Sequence, residues 1–68
     1  MGSEIVFHAG IKKEPLYKYY IDKNGNIVKI KEGGKPQIVL ELNIEKEPGY
    51  VYFLDKNGDV ARFKVKKL

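Results

Sequence analysis

Few side chains in this sequence could perform chemistry. It contains one histidine, His8, one serine, Ser3, and neither cysteine nor threonine. A nucleophile needs a base within hydrogen-bond reach, and a zinc site needs three or four His, Cys or carboxylate ligands. We therefore expect no enzyme activity, no metal site and no cofactor, and we interpret His8 as an ordinary exposed strand residue.

Two acidic loops resemble calcium-binding sequences at first reading. The segment 22–26 reads DKNGN, and the segment 55–59 reads DKNGD. An EF-hand loop requires glycine at its sixth position and glutamate at its twelfth. Here glycine is fourth, and the twelfth position holds Gly33 or Lys66. We therefore predict that both segments are hairpin turns.

An internal repeat organises the whole chain. When the sequence is shifted by 33 residues, positions 4–32 align with positions 37–65, and 13 of the 29 pairs are identical. Repeats of this kind are typical of stacked or symmetric architectures. The sequence predicts a single domain over residues 1–68, with one repeat at 4–32, a Gly-Gly-Lys-Pro linker at 33–36 and a second repeat at 37–66.

Each repeat is expected to form three strands. Apolar residues alternate with others along 5–11 and 38–44, which is the two-residue period of a half-buried strand. A Glu-Pro pair then interrupts the chain, because proline donates no hydrogen bond to a sheet. Two further strands follow in each repeat, joined at Asn24-Gly25 and Asn57-Gly58, since Asn-Gly is a strong hairpin signal.

Two turn types fit each Asn-Gly pair, and they place opposite faces of the hairpin inward. A two-residue turn at Asn24-Gly25 pairs Ile21 with Val28. A type I turn that ends in a glycine bulge instead places Lys29 beside Tyr19. The first alternative leaves an uninterrupted apolar face in both repeats, so we predict the two-residue turn.

The expected fold is all-β: two tandem three-stranded repeats related by a pseudo-two-fold axis, forming a six-stranded small barrel or a sandwich. Closure would hide the sheet edges, and a homodimer is the other way to cover them. The predicted inward residues are Ile5, Phe7, Ala9, Ile11, Tyr17, Tyr19, Ile21, Val28, Ile30, Ile38, Leu40, Leu42, Ile44, Tyr50, Tyr52, Leu54, Ala61, Phe63 and Val65.

The predicted outer face of the hairpins combines cations with aromatic rings. In the chosen register Tyr20 stands opposite Lys29, and Phe53 stands opposite Arg62. Lysine and arginine neutralise phosphates, while exposed rings stack on bases. The chain as a whole has a formal net charge of +4. The predicted nucleic-acid-binding residues are Lys18, Tyr20, Lys29, Lys31, Phe53, Arg62, Lys64 and Lys66.

These residues predict a small basic protein that binds nucleic acid, DNA rather than RNA, with little sequence preference. The alternative is an oligomeric structural or protein-interaction module that binds no nucleic acid. Its interface would bury Tyr20, Phe53, Val51 and Val60, because an apolar outer patch also suits a protein contact.

The repeated motif Glu-Pro-x-Tyr-x-Tyr, followed by an aromatic, an aliphatic and Asp-Lys-Asn-Gly, covers 14–28 and 47–61. It resembles a motif of small uncharacterised prokaryotic proteins, often found in tandem copies, and that resemblance implies no activity or site residues. The abundance of Lys, Glu, Tyr and Ile is similar to that of thermophile proteins. No apolar run reaches the length of a membrane span, and a secretory signal is not expected. We predict a cytoplasmic protein without membrane contact.

Overall fold

The computed structural model describes residues 2–65, and β-strands joined by turns and irregular segments are the only regular secondary structure there. The prediction of an all-β fold with six strands is confirmed. Lys66, one of the predicted site residues, lies outside the described residues. The strands are β1 (Glu4–Phe7), β2 (Tyr17–Ile21), β3 (Ile27–Lys31), β4 (Gln37–Leu40), β5 (Tyr50–Leu54) and β6 (Val60–Lys64).

The six strands form two antiparallel three-stranded sheets, ordered β2-β3-β4 and β1-β6-β5. The structure shows no hydrogen-bonded strand pair that joins the two sheets within residues 2–65. Each predicted repeat is divided between the sheets, since β1 pairs with β6 from the other half of the chain. The predicted linker is the turn between β3 and β4, closed by the Gly34 amide, which donates to the Lys31 carbonyl at 2.8 Å.

The predicted register of both hairpins is wrong, and the bulged alternative is the one observed. Ile21 pairs with Ile27, Tyr19 with Lys29, and Tyr17 with Lys31. The second hairpin has the same register, with Leu54 opposite Val60 and Tyr52 opposite Arg62. Every side chain of β3 and β6 therefore lies on the face opposite to the predicted one.

The aspartate that opens each loop explains this register. The Asp22 Oδ1 atom accepts hydrogen bonds from the amides of Asn24 and Asn26, each at 2.9 Å. The Gly25 amide donates to the Asp22 carbonyl at 3.0 Å, and Gly25 has a φ of 81°. These contacts define a type I turn followed by a left-handed glycine. Asp55 makes the same contacts in the second hairpin.

Each hairpin loop is held by a segment from the other half of the chain. The Ile44 amide donates to the Gly25 carbonyl at 3.1 Å, and the Ile11 amide donates to the Gly58 carbonyl at 2.9 Å. Asn26, which is 4% exposed, accepts hydrogen bonds from the Leu42 and Asn43 amides through its Oδ1 atom. The predicted strands therefore stop early: β1 ends at Phe7 and β4 ends at Leu40, because the following backbone bonds to a loop.

The core lies where the loop ends of the two hairpins meet. Its buried cluster is Ile21, Ile27, Leu54 and Val60, contributed equally by the two sheets. Ile27 and Val60, neither of which belongs to the predicted inward set, are fully buried at its centre. The partly buried side chains packed against the cluster are Ala9, Ile11, Tyr19, Val39, Leu42, Ile44 and Tyr52.

Several predicted core residues lie elsewhere. Ile5, Phe7, Ile38, Leu40, Phe63 and Val65 are exposed. Val28 and Ala61 are buried, but they alternate with Ile27 and Val60 and so lie on the outer sides of the two sheets. Irregular pairing in β4 turns Val39 toward the core in place of its neighbours.

Among residues 2–65 there is no helix with the length and hydrophobicity that a membrane span needs.

Candidate nucleic-acid interface

Two of the predicted cations lie beside one tyrosine ring at the open end of the first hairpin. The Lys29 Nζ atom lies 4.5 Å from the centroid of the Tyr17 ring, and the Lys31 Nζ atom lies 6.0 Å from it. Lys18 follows Tyr17 along β2 and is exposed. We call Tyr17, Lys18, Lys29 and Lys31 the Tyr17 cluster.

A surface recess lies beside this cluster. Its lining includes Tyr17, Lys18 and Lys31 as well as Leu16 and Glu32. Because strand side chains alternate, Lys18 and Lys31 reach the recess from opposite faces of the same sheet. An anionic group in the recess would therefore contact two ammonium groups and the tyrosine ring, with Glu32 as the opposing charge.

Lys29 is the most constrained cation of the cluster. Its Nζ atom donates to the Glu14 Oε2 atom at 2.9 Å, and its side chain is 19% exposed. The hydrogen bond to Glu14 raises the pKa of Lys29, so the ammonium remains protonated. Glu14 is positioned by its own amide, which donates to the Tyr19 hydroxyl at 2.8 Å.

The corresponding cation of the second hairpin, Arg62, is bound to three groups of this chain. Its Nε atom donates to Glu4 at 2.8 Å, and its Nη1 atom donates to the Tyr52 hydroxyl at 3.2 Å and lies 3.4 Å from Glu47. The guanidinium also lies 3.9 Å from the Tyr50 ring centroid. The hydrogen bonds to Tyr52 and Glu4 raise the pKa of Arg62. These contacts give Arg62 a structural role.

The predicted site is therefore divided. Lys29, Lys31, Arg62 and Lys64 were predicted to share the outer face with the aromatic residues, but the observed register places them on the opposite face. Tyr20 stands opposite Val28, and Phe53 stands opposite Ala61, so neither ring faces a cation across its hairpin. Tyr20 and Phe53 also belong to different sheets.

The predicted protein-interaction surface is divided in the same way. Val60 is buried in the core, and Tyr20 lies in the other sheet from Val51 and Phe53. Only Val51 and Phe53 share a face, because they are two residues apart on β5.

Sequence reasoning missed the carboxylates that pair with the cations. Glu14 and Glu47 are separated by 33 residues, as are Lys29 and Arg62. That shared spacing was a signal that each glutamate precedes a cation by the same distance in both repeats. This spacing predicts the ion pairs only in the observed hairpin register. In the predicted register the cations face away from the neighbouring tyrosines.

The two acidic loops use their first aspartates as internal hydrogen-bond acceptors. This confirms the prediction that they are turns. Asp59 accepts a hydrogen bond from the Gly10 amide, and its Oδ2 atom lies 3.5 Å from the His8 Nδ1 atom. Within residues 2–65 no three His, Asp or Glu side chains cluster in a way that could hold a metal ion.

Comparisons with protein-family models, with curated proteins and with solved structures find no match to this chain.

Proposed function

We propose that this chain is a small, non-enzymatic, cytoplasmic protein that binds nucleic acid, DNA in preference to RNA, through the Tyr17 cluster. The observation that carries this proposal is the convergence of Lys18, Lys31 and the Tyr17 ring on one recess. Ammonium groups neutralise phosphates, and a ring beside them offers a stacking surface for a base or sugar.

The distribution of ion pairs among the described residues supports binding of a polyanionic ligand by lysines outside those pairs. Lys29 and Arg62 are paired with carboxylates, whereas the described ion pairs include neither Lys18 nor Lys31. The formal net charge of +4 is thus presented largely by exposed lysines. A lysine is a point charge without the bidentate geometry that reads a base pair. Binding through such contacts would position the backbone and carry little sequence information.

The contribution of the second hairpin is smaller in this proposal. Lys64 stands opposite Tyr50, as Lys31 stands opposite Tyr17. Arg62 is bound to Glu4 and Glu47, so Lys64 is the cation that the second hairpin contributes to binding. Tyr20 is exposed on the same strand as Lys18 and would extend the contact.

We also propose that the two halves arose by tandem duplication and are related by a pseudo-two-fold axis. Unusual backbone conformations recur at the 33-residue spacing and support this. Gly10 and Asn43 have φ values of 61° and 51°, and Leu16 and Gly49 have φ values of 74° and 87°. The exchange of hydrogen bonds between each loop and the opposite half follows the same spacing.

Charge reversal at Lys18 and Lys31 together is expected to weaken binding to duplex DNA by at least about tenfold, because it removes two phosphate contacts and adds two repulsions. For the parent protein, the three cations of the Tyr17 cluster together with Lys64 limit the slope of log K against log[salt] to about −3.6 with duplex DNA. The measurement is a fluorescence anisotropy titration of labelled duplex and single-stranded DNA at low and moderate salt.

The matched control is charge reversal at Lys12 and Lys35, which are exposed and lie outside the hairpin strands. It changes the net charge by the same amount. Equal weakening in the two double variants would show that net charge, and not the Tyr17 cluster, governs binding. Absence of binding by the parent protein at low salt would exclude the proposed function.

A further inference from the structure

The outer side of the β1-β6-β5 sheet forms an uncharged, apolar surface. Register and strand alternation place five residues there: Ile5 pairs with Ala61, Ala61 with Phe53, and Phe63 with Val51. We call Ile5, Val51, Phe53, Ala61 and Phe63 the apolar face. Ile5, Val51 and Phe63 are 42%, 42% and 43% exposed, whereas Phe53 is half-buried and Ala61 is buried. The part of the face that is open to solvent is therefore formed mainly by Ile5, Val51 and Phe63.

The charged residues of the same strands lie on the other side of the sheet. Glu4 pairs with Arg62, and Lys64 pairs with Tyr50. Among the described strand residues, those on the apolar face are all uncharged, although the chain has a net charge of +4. Two copies of this chain carry the same net charge and therefore repel each other overall. The apolar face is where they can approach with the least repulsion and the largest gain from burying apolar area.

We propose that the apolar face binds the same face of a second copy of this chain, across a two-fold axis. This inference does not depend on nucleic-acid binding, because the Tyr17 cluster lies in the other sheet. It assigns the interaction surface of the alternative module to a different set of residues, in which the exposed Ile5 and Phe63 replace Tyr20 and Val60.

The shape of the apolar face is suited to contact with the same face of a second copy. The Phe53 and Phe63 rings are tilted by 53° with centroids 5.9 Å apart, and they flank the small side chain of Ala61. Next to these rings is a shallow recess that is also lined by Gly2, Ser3 and Lys64, so one charged residue lies at the rim of the apolar face. A two-fold interface needs a projection and a depression on one surface, and the rings and the recess provide them.

The size of the face predicts a weak dimer. Two strands of five residues and one of four cover about 14 × 17 Å. A standard stable interface buries about 800 Å² on each partner, which is more than this face offers without its rim. We therefore expect dissociation constants in the micromolar range or weaker, and a dimer that tightens with salt as the repulsion between the positively charged copies is screened.

The corresponding face of the β2-β3-β4 sheet explains why assembly would stop at two copies. At the 33-residue spacing Lys18 stands where Val51 does, and Tyr20 stands where Phe53 does. A charge and a hydroxyl thus replace two apolar contacts. Two apolar faces on one molecule would generate an open chain of copies, whereas one such face closes a dimer.

Sedimentation velocity over protein concentrations from about 1 μM to 1 mM measures the dimer directly. Val51→Lys is expected to raise its dissociation constant at least about tenfold, because lysine would place a charge in the contact. The fold is expected to persist, since Lys18 already occupies the corresponding position. Ile5→Lys is the second disrupting variant. Its matched control is Ile38→Lys, which alters the corresponding residue of β4 and is expected to leave the dimer unchanged.

The outcomes separate this proposal from the proposed function. A parent protein that remains monomeric at 1 mM, or equal weakening by Ile5→Lys and Ile38→Lys, would overturn the dimer and leave DNA binding untouched. Lys18→Val combined with Tyr20→Phe is expected to produce species larger than the dimer. If the size distribution of that variant does not change, the second face is not what limits assembly. Far-ultraviolet circular dichroism checks that each variant is folded.

Discussion

Ile27→Ala is expected to lower the free energy of unfolding by about 2–5 kcal/mol, the range for truncating a fully buried aliphatic side chain. Ile27 is 0% exposed and lies at the centre of the cluster formed with Ile21, Leu54 and Val60. A domain of this size has a total stability of only about 3–10 kcal/mol. The variant is therefore expected to lose about a fifth or more of the stability of the protein, and to unfold at a clearly lower urea concentration when followed by circular dichroism.

The matched control is Leu40→Ala. Leu40 pairs with Ile27 across the β3–β4 ladder but is 36% exposed. Its truncation leaves a smaller cavity, and we expect a loss of about 1 kcal/mol or less. A larger loss for Leu40→Ala than for Ile27→Ala would mean that β3 faces the other way, as the sequence pattern alone had predicted.

Gly58→Ala is expected to destabilise the protein by at least about 2 kcal/mol, combining left-handed backbone strain with the loss of a loop contact. Gly58 has a φ of 82°, and a Cβ atom there would overlap the Ile11 backbone. The overlap would displace the Ile11 amide from the Gly58 carbonyl, to which it donates at 2.9 Å. Thermal and urea unfolding of the two proteins measure the difference.

Gly33→Ala separates the two causes. Gly33 has a φ of 80°, nearly that of Gly58, but a Cβ atom there would meet no atom within 4 Å. Only the conformational cost remains, about 1 kcal/mol. If the two alanine variants lose the same stability, the close approach of Ile11 to the second hairpin loop contributes nothing.

The number of strands and the position of the hairpins could be predicted from sequence because they depend on local chemistry. Alternating apolar residues define extended segments, and the segments DKNG at 22–25 and 55–58 mark the two turns. Gly25 and Gly58 have positive φ values, as an Asn-Gly turn requires. These features arise from neighbours within a few residues, so the sequence pattern was sufficient to predict them.

The register was not predicted, because two local solutions competed. The two-residue turn keeps Lys29 and Arg62 away from the tyrosines and gives an uninterrupted apolar face. The observed turn gains hydrogen bonds to the Asp22 carboxylate and a loop on which residues 42–44 dock. The cations then lie over tyrosine rings, with their charges bound to glutamates that are distant in sequence. The hydrogen bonds to Asp22 are local, but the docking of residues 42–44 and the pairing of the cations with glutamates join residues 15 or more positions apart, and no local pattern reveals these.

The candidate site shows the same division between sequence and tertiary structure. Composition determined that the chain is basic and poor in catalytic side chains, and the sequence pointed to Lys18, Lys29 and Lys31 as candidates. Tertiary structure decided that Lys29 and Lys31 lie beside the Tyr17 ring and that Lys18 lines the recess next to it. It also decided that Arg62 is bound by Glu4 and Glu47, and that Tyr20 and Phe53 belong to separate sheets. The physical reason is that a one-residue change of register reverses every side chain of a strand. The pairing of β1 with β6 has a similar basis, because strand pairing depends on contacts across the whole chain, which the order of residues does not specify locally.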